Sequence, residues 1–89
     1  MTMYRAEILG KVPYGLTHND VYATILQMVN EGADNVHSVV KRRLAGGLVS
    51  VVTVFESANS ATATTVIRSA GTAVYQFSFD ILGPKEVPS

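Results

Sequence analysis

The chain has 89 residues, with seven basic and seven acidic side chains, no cysteine and 47% hydrophobic residues. That length fits one small domain, able to bury roughly 60–70% of its unfolded surface, and the composition lies far from the signature of a disordered chain. The lack of cysteine excludes a disulfide framework, thiolate zinc sites, iron–sulfur clusters and thiol nucleophiles; the lack of net charge argues against a surface-wide footprint for nucleic acid or anionic lipid.

Residues 3–12 alternate, with Tyr4, Ala6 and Ile8 on one face and Arg5, Glu7 and Leu9 on the other, the period of a half-buried strand. Pro13-Tyr14-Gly15 ends it. Thr17 is placed to cap a helix whose first turn holds Asp20. Behind it Val21, Ile25, Met28 and Val29 recur at helical spacing, Tyr22 and Leu26 widen the stripe, and Gly32 is placed to close the helix. Residues 36–44 and 48–57 are rich in β-branched side chains and flank Ala45-Gly46-Gly47, a hairpin signal. Asn59-Ser60 offers a cap for a second helix over residues 61–70, with Ala63, Val66, Ile67 and Ala70 as its apolar stripe and Gly71 as its stop. Residues 73–82 alternate again, Tyr75, Phe77, Phe79 and Ile81 opposing Gln76, Ser78 and Asp80, and residues 83–89 read as a flexible C-terminal tail.

Strand, helix, strand, strand, helix, strand is the order of a ferredoxin-like split-βαβ plait, an α+β fold. The expectation is one domain over residues 1–82: a four-stranded antiparallel sheet with both helices on one face, first and third strands central. Such a fold hosts many unrelated activities, so function must come from a site.

The third strand supplies the main clue. Val49, Val51, Thr53 and Phe55 fall on one face, and Leu48, Ser50, Val52 and Val54 on the other, so both faces are largely apolar. A central strand of that kind implies cover on both sides, and two helices cover only one. Leu48, Ser50, Val52 and Val54, flanked by Gln76 and Ser78, are therefore the expected interface with a twin subunit or another protein; Val49, Val51 and Phe55 are the reserve set if the helices take the opposite face. The second strand is expected to place Val36 and Val40 on one face and Val39 on the other.

Other constellations point elsewhere with less support. Lys41, Arg42 and Arg43 could contact phosphates as a weak nucleic-acid patch. Alternation splits the three over two faces, however, and charges on an edge strand also serve to discourage stray pairing. The third strand lacks the glycine-and-aromatic pattern of RNA-binding plaits, and the Tyr75–Phe77–Phe79 stripe is expected under the helices as core. His18 and His37 show no spacing that predicts a metal site, and no nucleophile elbow or Walker loop is present. No cofactor and no catalytic residue are expected.

The segment Val12-Pro13-Tyr14-Gly15-Leu16-Thr17 combines a glycine that permits close backbone approach with the free amides of a helix start. It resembles the strand-to-helix loop of ACT-type regulatory domains, where Pro-Gly-x-Leu precedes the helix, although Tyr14 here separates Pro13 from Gly15. The resemblance implies a small-ligand sensor with Tyr14, Gly15, Leu16 and Thr17 as contacts. Acylphosphatases share the plait but need an arginine and glycines in this loop, where Lys11 is the only cation.

No run approaches the roughly 18 apolar residues of a membrane helix, and residues 1–7 carry charges of both signs instead of a signal-peptide pattern. The sequence thus reads as a non-enzymatic cytoplasmic association module, a homo-oligomer or an adaptor for a protein partner, with neither nucleic acid nor membrane as the favoured target.

Overall fold

The computed structural model describes residues 1–12, 18–75 and 78–88, with the main chain alone for residues 18 and 19. The elements are β1 (Thr2–Lys11), α1 (His18–Asn30), β2 (Ala33–Arg43), a single 3-10 turn (Ala45–Gly47), β3 (Leu48–Ser57), α2 (Ser60–Val74) and β4 (Phe79–Glu86). The four strands form one antiparallel sheet in the order β2-β3-β1-β4. This is the ferredoxin-like plait, with β3 and β1 at the centre.

The core lies between the sheet and the two helices. Tyr4, Ala6 and Ile8 of β1 and Val49, Val51, Thr53 and Phe55 of β3 are buried against Met28 of α1 and Ala63, Val66, Ile67 and Ala70 of α2. Tyr4 and Phe55 are cross-strand partners with ring centroids 6.1 Å apart. The hairpin closes as the glycine pair predicts: Gly46 and Gly47 both take φ of 76°, and Leu44 N–H donates to Leu48 O at 2.8 Å. Asn59 caps α2, its side chain accepting from the Thr62 amide at 2.9 Å. The threonines of α2 turn back onto their own helix, Thr64, Thr65 and Thr72 donating to Ser60, Ala61 and Arg68 carbonyls.

Four local expectations are corrected. The helix expected to stop at Gly71 runs on to Val74, because Gly71 serves close packing: a Cβ there would collide with the Phe79 ring. The fourth strand consequently begins at Phe79 and continues to Glu86, with the Val87 amide donating to Met3 O at 2.8 Å. Residues 83–86, expected in the tail, are therefore paired strand. Tyr75 follows α2 instead of lying in a strand; its ring stacks with that of Phe79, centroids 6.1 Å apart.

The third correction concerns β2. Its register against β3 shifts between Val36 and Ser38, so Val36 pairs with Phe55 while Val40 pairs with Val52. One extra residue reverses the alternation. Val36 and Val39 accordingly share the helix-covered face, packed against the core, and Val40 lies on the opposite one.

The fourth concerns α1. Thr24 and Met28 are its buried residues, whereas Tyr22, Leu26 and Val29 remain 66%, 48% and 51% exposed. A helix seated on one sheet hides only one flank, and the apolar stripe of α1 is wider than that. Thr24 is accommodated inside because its hydroxyl donates to Asp20 O at 2.7 Å.

Candidate interaction face on the bare side of the sheet

The helices cover the face carrying Val49, Val51, Thr53 and Phe55. Antiparallel pairing then puts Leu48, Ser50, Val52, Val54 and Glu56 of β3 on the bare face. With them lie Arg5, Glu7 and Leu9 of β1, Ser38, Val40 and Arg42 of β2, and Asp80, Leu82 and Lys85 of β4. Reading across the strands gives a middle row Val40–Val52–Glu7–Leu82 between the rows Ser38–Val54–Arg5–Lys85 and Arg42–Ser50–Leu9–Asp80. The face is an apolar patch on the β2–β3 side that grades into interleaved charges on the β1–β4 side.

Val40 and Leu82 are the most open of the row, 50% and 59% exposed; Leu48, Val52 and Val54 are half-buried by their neighbours. Val40 escapes a reading based on simple alternation because of the bulge, and Leu82 because β4 is displaced towards the C-terminus. Ser50 behaves differently from its expected role. It is buried, and its hydroxyl donates to Glu7 Oε2 at 2.6 Å, holding that carboxylate down between Val52 and Leu82. Ser78 is exposed just before β4, and Gln76 lies outside the described residues. At one end of the face His37 Nε2 sits 3.2 Å from Glu56 Oε2, a carboxylate partner that sequence separation conceals.

The alternative sites fare as follows. Lys41 and Arg43 pair with Val51 and Val49 on the helix-covered face, while Arg42 pairs with Ser50 on the bare one, so the basic triplet is divided. Tyr14, Gly15, Leu16 and Thr17 lie outside the described residues. A cleft beside the start of α1, lined by Asp20, Val21, Thr24, Val39, Lys41, Val51 and Val74, has a volume of about 10 Å³. That is water-sized, against roughly 300–1,000 Å³ for a small-molecule pocket. Among the described residues no group of three or more potential ligands gathers as a metal site, and no helix is long and apolar enough to cross a membrane.

Tyr75 is the one described group whose titration the fold visibly perturbs. Burial pushes its phenol above the ordinary tyrosine value, opposed by a hydrogen bond from the Gly10 backbone. Its hydroxyl donates to Val49 O, with Ile8 O at 3.5 Å. This is a brace between α2 and the two central strands, on the side away from the bare face.

No protein-family model matches the chain, and none of the curated proteins is significantly similar to it. The functional reading accordingly rests on the geometry.

Proposed function

We propose that this chain is a non-enzymatic association module of the cytoplasm, binding a protein partner, a second copy or an adaptor target, through the sheet face its helices leave bare. The observation that carries the reading is the Val40–Val52 pair with Val54 beside it, an apolar cluster on the uncovered side of a sheet whose other side already has its core. Burying an aliphatic side chain fully is worth about 1.5–3 kcal/mol, so finishing the burial of this cluster supplies a useful part of a binding energy. The charges beyond it, Arg5, Glu7, Asp80 and Lys85, suit a polar rim that fixes orientation.

Because the chain has no cysteine, one introduced thiol is a unique probe. Val40→Cys carrying a photocrosslinker is compared in cells with Arg68→Cys on the exposed side of α2. The expected result is a discrete adduct, with itself or with one other protein, from position 40 alone, abolished by adding Val54→Lys. Equal labelling from both positions, or none from position 40, overturns the proposal.

A further inference from the structure

A second surface lies at the margin of the sheet, and it does not depend on the bare-face reading. β2 is an edge strand, and no other strand of the described sheet lies beyond it. From Ser38 to Arg43 its register against β3 is unbroken. Leu44 N–H points inward to Leu48 O, so by the alternation of an antiparallel ladder Val39 and Arg43 direct their main-chain groups outward. The opposite edge differs: β4 carries Gly83-Pro84 within its eight residues, and its ladder shifts between Arg5 and Glu7. Proline offers no donor, and a shift of this kind blunts an edge.

Two features select what the β2 edge would accept. The first is charge. The start of the strand is acidic, with Asp34 exposed and Glu56 of β3 beside it, and its end is basic, with Arg42 and Arg43 both exposed. An antiparallel copy brings the acidic end of one strand towards the basic end of the other. A parallel copy, or overlap of the C-terminal halves alone, sets arginine against arginine.

The second is the outer flank of α1. Asp20 lines a cleft with Val74 of α2; Tyr22 and Val29 lie about 200° and 180° of helical turn from Asp20. Their flank is thus turned from α2 towards the β2 margin, and there Tyr22, Leu26 and Val29 form an exposed stripe at spacings of four and three residues. A strand edge and a helix flank of about 20 Å each, stacked in two layers, make a footprint near the ~1,000 Å² total of a specific interface.

We infer that two copies of this chain join edge to edge along β2, antiparallel about a two-fold axis in the Ser38–Val40 stretch, giving a continuous eight-stranded sheet on which the α1 stripes of the two copies face one another. The bare faces then lie side by side on one broad sheet.

Sedimentation from about 1 to 100 µM (Kd values spanning roughly −8 to −5.5 kcal/mol) is combined with residue-resolved hydrogen exchange on the wild-type chain. A dimer is expected in which the Val39 and Arg43 amides exchange more slowly as concentration rises. Leu26→Glu, on the exposed helix flank, is expected to raise the dimer Kd by tenfold or more, and 0.5 M salt to raise it further through the arginine contacts. A strict monomer across that range overturns the inference. So does a dimer whose Val39 and Arg43 amides stay fast, which assigns self-association to the bare face and leaves the proposed function standing. A dimer indifferent to Leu26→Glu overturns it as well, and hydrogen exchange on the wild type remains decisive if that variant folds poorly.

Discussion

Replacing Tyr75 by Phe keeps the ring that stacks on Phe79 and removes only the hydroxyl that donates to Val49 O near Ile8 O. The loss is one neutral hydrogen bond at a buried position, with the acceptor carbonyls of β3 and β1 left behind; that asymmetry is worth about 1–3 kcal/mol. For a domain of this size each kcal/mol moves the melting temperature by about 4–8 °C, so a drop of roughly 5–15 °C is expected at neutral pH. The pH dependence carries a second signature. Burial raises the phenol's titration in the fold, against the Gly10 hydrogen bond, so the folded state holds its proton more tightly than the unfolded chain does. That contribution is complete below the unfolded value of about 10 and fades as pH climbs through the higher folded value. Urea unfolding of wild type and Tyr75→Phe at pH 7, 9, 10 and 11 should therefore show a stability gap that is constant to about pH 9 and narrows above it. A gap under about 0.5 kcal/mol at pH 7, or one that widens in alkali, refutes the brace.

Three further substitutions probe the scaffold. Asn59→Ala removes the side-chain acceptor for the Thr62 amide and should cost about 0.5–2 kcal/mol in thermal unfolding, with Asn59→Ser recovering most of it. Gly71→Ala gains helix propensity, yet its Cβ meets the Phe79 ring; it is expected to destabilise by about 1–3 kcal/mol, and Gly71→Ala with Phe79→Leu should be milder than Gly71→Ala alone. Ser57→Ala breaks the 3.0 Å bond from a buried hydroxyl to Gly32 O, which ties the end of β3 to the turn after α1, and should lower stability by about 1 kcal/mol in urea unfolding.

Much of the fold is legible in local pattern. The alternation of Tyr4, Ala6 and Ile8, the Gly46-Gly47 hairpin and the Asn59 cap each follow from short-range sterics and hydrogen bonding, and each has its expected place in the structure. What alternation does not carry is tertiary. Gly71 looks like a stop because helix-ending glycines are common, whereas its lack of a Cβ answers to Phe79, eight residues on. The extra residue between Val36 and Ser38 leaves no mark in composition, so Val40 changes sides unannounced. Ser50 looks like an available hydroxyl until Glu7, 43 residues away, arrives to accept from it. The two faces of β3 were readable because each depends only on period two; which neighbours occupy them depends on pairing partners distant along the chain.

The irregularity at Val36–Ser38 has a consequence for how this gene can vary. Deleting one residue there would carry Val39 out into water and drive Val40 into the interior, while Ala33 and the α1 turn stayed anchored. The 3-10 turn at Ala45–Gly47, exposed throughout, faces no such constraint. Spacing, more than side-chain identity, is what selection must guard at the first site; at the second, an added or missing residue leaves the interior of the domain untouched.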